Sequence, residues 1–329
     1  MYEHANTWAL VLAAGEGSRL RSLTTTASGL AVPKQFCSLS GGPSLLQDAV
    51  RRAAAVAAPE HVCGVVARQH RCWWHGQLKL LAPDNVVVQP ENRGTAHGIM
   101  LPLLHLYARD PDGVVVLLPA DHYVRDEESL ARSLREAAAL ARRQRDDIFL
   151  LGVEPDAPDP ELGYIVPAPP DGRGATPVAR FVEKPSADAA RTLLEQGALW
   201  NVFIVAASVR ALLSLFAQDF SAPLAQMQQA IRSSSLTNHY ARLPNADFSR
   251  DVLEGQSGRL RVVSAGNCGW TDLGTPQRVA DTLRTGRFGP TNDAAVPASP
   301  SLSLAAQHQR LQRDVPNCAA KFAMRGVAP

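Results

Sequence analysis

The loop after the first apolar run of the chain carries residues suited to holding an anion. That run leads directly into LAAGEGSRL, which places Gly15 and Gly17 in the loop and Arg19 just beyond it. Glycines let backbone N–H groups approach a phosphate closely, and Arg19 adds positive charge. The loop is neither a Walker A motif nor a dinucleotide fingerprint, because no Gly-Lys-Ser/Thr follows and Leu20 stands where a third glycine is needed. The pattern indicates a different nucleotide phosphate site, with a tight strand-to-helix turn as the alternative.

Lysine is used sparingly, and two lysines accompany other candidate binding residues. Only four of the 33 basic residues are lysine, so arginine supplies nearly all of the positive charge. A lysine in such a chain indicates a place that needs a compact ammonium and not a planar guanidinium, with chance placement as the alternative. We expect Lys34, in PKQF, to face the same phosphates. Lys184 precedes Pro185 in FVEKP, so we expect an extended backbone that aims its ammonium off the sheet edge.

Two aspartates follow apolar runs of strand length. Asp121 lies in LLPADH, and Asp272 lies in GWTDLGT. Ligands of open α/β sheets gather at the carboxyl ends of strands, where carboxylates can hold a hydrated Mg²⁺ bound mainly by phosphates. A helix cap or a loop acid is the alternative for each aspartate alone. Together with the glycine loop, the pair predicts a magnesium-nucleotide site.

Amide and hydroxyl side chains follow two further strand-like runs. The stretch QPENRGTA begins at Gln89 and opens a helical pattern, and its polar groups suit a base edge. Asn201 follows a tryptophan and is a candidate reader of a sugar hydroxyl. Capping or packing roles are the alternatives for these residues.

Alternating segments of strand and helix length must position these side chains. Apolar, β-branched runs predict strands at 8–13, 61–67, 85–88, 114–118 and 148–153. Apolar residues at spacings of three and four predict helices at 45–57, 70–81, 96–108 and 127–145. The alternation predicts an α/β fold with three layers, a mostly parallel sheet and right-handed crossovers.

The chain changes character after residue 154. Pro, Asp and Gly crowd together before the strand-like VARFVEK, which predicts an inserted β-rich lobe, and further strands are predicted at 200–206 and 259–264. Residues beyond about 287 are rich in Pro, Ala and Ser with little periodic apolar content. We therefore predict one domain over 1–286 and a loosely ordered tail over 287–329.

Composition excludes several classes of function. The 329 residues carry a net charge of +2 without a dense basic run, so neither nucleic acid nor an anionic membrane is expected as a partner. No export signal or spanning segment is visible at the start, which predicts a cytoplasmic protein. Five cysteines without a CxxC pair do not suggest a disulfide framework, and His70, Cys72 and His75 near Cys63 lack the spacing of a zinc site.

Nine motifs in order resemble the sugar-phosphate nucleotidylyltransferase family: LAAGEGSRL, PKQF, QPENRGTA, LLPADH, ELGYI, FVEKP, LWN, DFSRDVLE and GWTDLGT. The likeness covers about residues 8–283, and PKQF with the ENRGTA-type motif resembles the mannose/guanylyl branch. The resemblance implies a glycosyltransferase-A-like (Rossmann-like) α/β domain that joins GTP and mannose 1-phosphate into GDP-mannose and pyrophosphate. It also implies that 154–265 contributes the sugar-phosphate side, and it leaves a homo-oligomer open.

The resemblance also implies roles for individual residues. Catalytic roles fall on Arg19, Lys34, Asp121, Lys184 and Asp272, with Asp121 and Asp272 binding Mg²⁺. Nucleotide-binding roles fall on Ala13, Ala14, Gly15, Gly17, Ser18, Gln89, Gly94 and Thr95. Sugar-phosphate roles fall on Gly163, Glu183, Lys184 and Asn201.

Departures from the family pattern and rival functions complete the sequence-based expectations. Ser18 and Ser22 replace the family's Thr and Pro, the step from Arg19 to Lys34 is longer than usual, and WNVF replaces WNSG. No cupin-like isomerase domain follows, so one activity is expected. The alternatives are the same reaction with glucose 1-phosphate and UTP or dTTP, a catalytically silent nucleotide-sugar-binding regulator, and a glycosyltransferase, which the lack of a strand-end DxD motif disfavours.

Overall fold

The structure is a computed structural model that describes residues 6–26, 28–39 and 41–285. The predicted tail, 287–329, lies outside the described residues. The strands are β1 (Thr7–Ala13), β2 (Val62–Ala67), β3 (Val86–Gln89), β4 (Val114–Pro119), β5 (Ile148–Val153), β6 (Tyr164–Pro167), β7 (Thr176–Val182), β8 (Leu199–Ser208) and β9 (Leu260–Ser264). The helices are α1 (Arg21–Thr24), α2 (Leu45–Ala53), α3 (Arg71–Gln77), α4 (Gly94–Arg109), α5 (Glu127–Arg143), α6 (Ala187–Glu195), α7 (Val209–Asp219), α8 (Ser221–Arg232), α9 (Leu236–Tyr240) and α10 (Pro276–Thr285).

The described strands form one sheet in the order β3-β2-β1-β4-β8-β5-β9-β7-β6. Parallel pairing joins β1 to β2 and β4, β2 to β3, and β5 to β9. Among the described strands, only β7 and β8 run antiparallel to the rest, since both pair antiparallel with their neighbours. The predicted mostly parallel sheet is therefore confirmed, and the predicted β-rich insertion is the β6–β7 hairpin, which extends the main sheet.

Each face of the sheet carries its own apolar core. Along β1, Ala9, Val11 and Ala13 pack beneath α2, α3, α5 and α10, while Trp8 and Leu10 pack towards α4, α7, α8 and α9. This alternation is what a strand buried on both faces requires, since successive side chains point to opposite sides. The three-layer prediction is confirmed. Among the described residues, no helix combines the length and apolar composition needed to cross a membrane.

The sheet opens at the carboxyl end of β4. There β8 pairs with β4 from Val205 onward, whereas its first residues pair with β5 and β6. A register shift between Leu150 and Gly152, and a left-handed backbone at Phe203 (φ 58°), mark the change of partner. The last residues of β4 continue to pair with β1 alone. A cleft forms in this opening.

Candidate active site

The cleft has a volume of 380 Å³ and lies at the carboxyl ends of β1, β3 and β4. Most of the predicted site residues line it: Ala14, Gly15, Arg19, Gln89, Gly94, Thr95, Asp121, Gly163, Glu183, Lys184, Asn201 and Asp272. Ala13, Gly17, Ser18 and Lys34 are not part of its lining. Residues separated by up to about 250 positions in the chain thus share one cavity, as the strand-end argument predicts.

The glycine loop is held in place by Gln35, which was not among the predicted site residues. Gln35, buried, donates through Nε2 to the carbonyls of Ala13 at 3.0 Å and Gly15 at 2.8 Å. Gly17 has φ 61°, and a Cβ there would lie 2.7 Å from the backbone nitrogen of Lys34. Only glycine fits such a position without a shift of the backbone. In the sequence, Gln35 is distinguished only by its position in PKQF, directly after Lys34.

Arg19 faces the cleft but is not unpaired. Its Nη1 donates to Glu161 Oε2 at 3.1 Å, and its Nη2 lies 3.9 Å from Asp272 Oδ2. The preceding Ser18 is exposed at the start of a short 3₁₀ turn. The guanidinium is half-exposed, so an entering anion can reach it.

Lys34 joins the two aspartates and does not project into the open cleft. Its Nζ lies 3.0 Å from Asp121 Oδ2, donates to the Asp272 carbonyl at 2.6 Å and lies 3.5 Å from the Leu273 carbonyl. Burial would raise the pKa of Asp121, but the Lys34 ammonium holds that pKa below its usual range. Asp121 is therefore ionised near neutral pH, and Lys34 fixes the ends of two loops together.

Asp272 is held by an arginine that the sequence did not reveal. Its Oδ1 accepts from the Gly274 backbone at 2.9 Å and from Arg278 Nη1 at 2.5 Å, and Arg278 also pairs with Asp159. Helix α10 thus fixes the position of the Asp272 carboxylate through Arg278, and Asp272 Oδ2 faces Arg19. An i,i+6 relation across a helix start gives no periodic signal in the sequence.

His122 also lies beside the Asp121 carboxylate, and burial keeps its imidazole neutral. Desolvation outweighs the nearby Asp121 and lowers the pKa of His122 to about 4. Its Nδ1 accepts from Trp270 Nε1 at 3.2 Å, so the ring proton lies on Nε2, which is 3.7 Å from Asp121 Oδ1. The imidazole is therefore fixed by Trp270 beside Asp121 and carries no charge near neutral pH.

The donor chemistry around Asp121 and Asp272 fits Mg²⁺ bound largely by phosphates. Both side chains are carboxylates, the hard oxygen donors that this ion prefers, and each has one oxygen whose nearest cationic or imidazole nitrogen is 3.7 Å or more away. The described residues contain no group of three or more His, Cys, Asp and Glu that could hold a metal alone. A magnesium ion here would need further ligands from a bound phosphate chain.

Gln89, which lines the cleft at the end of β3, carries an unsatisfied polar atom. The side chain is 2% exposed, and its Oε1 has no hydrogen-bond partner. Gly98 lies opposite, where a Cβ would sit 3.2 Å from Gln89 Nε2. A buried amide without a partner costs free energy unless something else satisfies it. Among the described residues, Gln89 Oε1 is thus left without a partner at the wall of the cleft.

Gly94 and Thr95 dock the start of α4 onto the segment around Ala246. Gly94 has φ 86°, and a Cβ there would lie 2.1 Å from the Ala246 carbonyl oxygen. Thr95 Oγ1 accepts from the Phe248 backbone at 2.7 Å and lies 3.3 Å from Asp247 Oδ2. Both residues line the cleft, but the contacts they make here are structural. Asp247 also lines the cleft, and DFSRDVLE was its only sequence signal.

The opposite end of the cleft combines an acid with an amide. Asn201 donates through its backbone to the Gly163 carbonyl at 2.8 Å, and a Cβ on Gly163 would lie 2.6 Å from Glu183 Oε2. Burial, reinforced by Asp247, raises the pKa of Glu183 to about 7. This carboxyl therefore exchanges a proton near neutral pH, which suits it to accept or donate a hydrogen bond with a hydroxyl.

The backbone prediction for Lys184 is wrong. Lys184 has φ 47°, in the left-handed region, and not the extended conformation expected before a proline. Tertiary packing overrides the local preference, because the chain must turn out of β7 into α6 at this point. The ammonium still reaches the cleft, 42% exposed, with Nζ 3.8 Å from Glu183 Oε1.

Known proteins are similar in sequence over most of this chain. The XanB xanthan biosynthesis protein of Xanthomonas campestris pv. campestris strain B100 is 33% identical over 285 residues, covering 83% of this chain and 58% of the relative. A mannose-1-phosphate guanylyltransferase of Salmonella muenchen is 30% identical over 280 residues, covering 81% and 57%. The chain thus spans less than three fifths of the length of these curated relatives.

Solved structures share the fold. A Thermus thermophilus protein named mannose-1-phosphate geranyltransferase superposes with a TM-score of 0.71 at 27% identity, covering 84% of this chain and 78% of that one. A UDP-glucose pyrophosphorylase gives 0.56 at 16% identity over 84% and 97%, a likeness of fold alone. The predicted Rossmann-like nucleotidyltransferase fold is confirmed. The family model described as nucleotidyl transferase matches residues 8–285, and the chain belongs to that family.

Proposed function

We propose that the protein transfers GMP from GTP to mannose 1-phosphate and forms GDP-mannose and pyrophosphate. One observation carries the proposal: a single cleft is lined by the glycine loop and Arg19, by Glu183, Lys184 and Asn201, and by the two aspartates. Two anionic substrates can therefore lie end to end in it. The relatives named mannose-1-phosphate guanylyltransferase, at about 30% identity, support this substrate pair over others.

The reaction needs positioning more than proton transfer. A phosphate oxygen of mannose 1-phosphate, already ionised near pH 7, attacks the α-phosphorus of GTP. The new phosphorus–oxygen bond forms as the bond to the β-phosphate oxygen breaks, and pyrophosphate leaves with the electron pair. No serine, cysteine or histidine base is required. Rate acceleration comes from holding two anions in line and compensating the charge on the leaving group.

The residues of the cleft divide between these tasks. Arg19 and the glycine-loop N–H groups bind the phosphates, Asn201 and Glu183 bind the sugar, and Lys184 binds its phosphate. Lys34, through Asp121 and the Asp272 carbonyl, keeps the two carboxylates together. Those carboxylates would hold Mg²⁺, which supplies charge stabilisation on the phosphate oxygens when bound.

A matrix of nucleoside triphosphates and sugar 1-phosphates, read by pyrophosphate release, tests the proposal. We expect GTP with mannose 1-phosphate to be fastest and ATP to be slower, since a buried group left unpaired by the wrong base costs about 1–3 kcal/mol. Mannose and glucose differ only in one hydroxyl, so weaker turnover of glucose 1-phosphate is expected. Faster turnover of UTP or dTTP would contradict the substrate pair, and no turnover of any pair would favour a silent regulator.

A lysine substitution tests the sugar-phosphate end. We expect Lys184→Arg to raise KM for mannose 1-phosphate strongly and KM for GTP little, because a planar guanidinium replaces a compact ammonium. Lys79→Arg is the matched control, since Lys79 is exposed and remote from the cleft lining. Equal effects of Lys184→Arg on both substrates would contradict its role.

A further inference from the structure

The acidic loop, residues 154–163, lies against the phosphate end of the cleft. It joins β5 to β6 and carries four acids, Glu154, Asp156, Asp159 and Glu161, without a basic residue. Glu161 accepts from Arg19 at 3.1 Å, and Asp159 pairs with Arg278, the arginine that holds Asp272. The loop thus places carboxylates on two guanidinium groups of the phosphate end.

Asp159, in the middle of this loop, is held in place, whereas Glu161, two residues further on, is exposed. The Asp159 backbone donates to the Tyr164 hydroxyl at 2.8 Å, and that hydroxyl donates to the Asp159 carbonyl at 3.2 Å. Tyr164 is fully buried, so Asp159 has a rigid support. By contrast, the side chains of Glu161 and Arg19 are 54% and 51% exposed. An exposed pair of this kind contributes little free energy and opens readily.

A carboxylate on an arginine has the same hydrogen-bonding geometry as a phosphate oxygen on it. Glu161 therefore pairs with the same guanidinium, that of Arg19, that a polyphosphate would bind. We propose that Glu161 competes with bound phosphates for Arg19. Glu161 pairs with the guanidinium when no nucleotide is bound, is displaced by the triphosphate, and pairs with it again as pyrophosphate leaves. The inference rests on the proposed function, which assigns Arg19 to the phosphates.

The competition has a direction that can be measured. Removing the charge of Glu161 should tighten pyrophosphate binding, because the anion no longer displaces an ion pair. The same change should slow product release and lower KM for the nucleotide. Glu161→Gln is the suitable variant, since it keeps the side-chain length, and the next residues, Leu162 and Gly163, line the sugar end and should not move.

Equilibrium binding of inorganic pyrophosphate to the full chain, with magnesium chloride present, tests the inference by calorimetry. We expect Glu161→Gln to lower Kd by about two- to five-fold, the range an exposed ion pair allows. Glu154→Gln, an exposed acid of the same loop, is the matched control and should leave Kd unchanged. Unchanged or weaker binding by Glu161→Gln would overturn the inference.

A double-mutant cycle separates competition for Arg19 from a general effect of charge. In an Arg19→Gln background, Glu161→Gln should produce no further tightening. Equal tightening in both backgrounds would overturn the inference. If Arg19→Gln alone leaves pyrophosphate binding unchanged, the assignment of Arg19 in the proposed function fails, and the inference with it. If Arg19→Gln weakens binding while Glu161→Gln has no effect, only the competition is refuted.

Discussion

Gly94→Ala is expected to damage both stability and nucleotide binding, for a reason visible in the backbone. An alanine at φ 86° costs about 1–2 kcal/mol, because the left-handed region crowds a Cβ. In addition, that Cβ would lie 2.1 Å from the Ala246 carbonyl oxygen, a separation that real atoms do not adopt. The segment that carries Asp247 must therefore move, at a cost typical of overpacking, about 1–3 kcal/mol.

The two costs can be separated with a second glycine. Gly172 has φ 77°, but a Cβ there would meet nothing within 4 Å, so Gly172→Ala carries the conformational cost alone. We expect urea unfolding to show a loss of about 1–2 kcal/mol for Gly172→Ala and about 2–4 kcal/mol for Gly94→Ala. Only Gly94→Ala should also weaken GTP binding, measured by calorimetry. Equal stability losses in the two variants would refute the steric argument.

Two further predictions concern charged groups of the cleft. Asp121→Asn and Asp272→Asn should each slow turnover by about 100-fold or more at saturating Mg²⁺, measured by pyrophosphate release. Asp121→Asn should also cost about 1–3 kcal/mol in urea unfolding, because it leaves the buried Lys34 ammonium with carbonyl partners only. Glu183, with its pKa raised to about 7, stabilises the fold at low pH and loses that contribution as the pH rises from about 4.5 through 7, by up to about 3 kcal/mol. Glu183→Gln should flatten this fall between pH 5 and pH 8.

Near-normal turnover of either asparagine variant would contradict the proposal that this residue holds Mg²⁺. Asp272→Asn should destabilise less than Asp121→Asn, because Arg278 keeps Asp159 as a partner. The reverse order would mean that Lys34 is not held by Asp121. If wild type and Glu183→Gln lose stability in parallel as the pH rises, Glu183 does not titrate in that range.

Local patterns were sufficient for the elements and for the strand-end residues. The runs that became β1 and β4 are apolar on both faces and bounded by glycine or by charge, which is the usual sequence of a buried parallel strand. Since parallel strands bring their carboxyl ends to one edge, Gly15 and Asp121 could be placed in one cleft from sequence alone. The topology supplied the proximity without any knowledge of side-chain contacts.

Contacts made across long separations could not be predicted in this way. Lys34 was expected to face phosphates because its charge suits them, yet it ends between Asp121 and the Asp272 carbonyl, 238 residues away in the chain. Gln35 and Arg278 act through backbone carbonyls and a carboxylate on other elements, so neither has a motif of its own. Charge type predicts which residues can serve a site, but packing decides which ones reach the ligand.

Phe203 shows how a departure in sequence becomes a physical difference in the site. It stands where the related motif WNSG has glycine, and its backbone is left-handed at φ 58°, a conformation that favours glycine. Such strain persists only when the surroundings compensate for it, and the ring packs edge-on against Phe248 with centroids 6.2 Å apart. Phe203 also lines the cleft, and its backbone N–H, which any residue at this position would supply, donates to Asn201 Oδ1 at 3.1 Å, so the substitution adds a phenyl ring to the lining beside that amide. A left-handed turn at this position is therefore adopted here by a bulky residue, whose ring becomes part of the cleft lining.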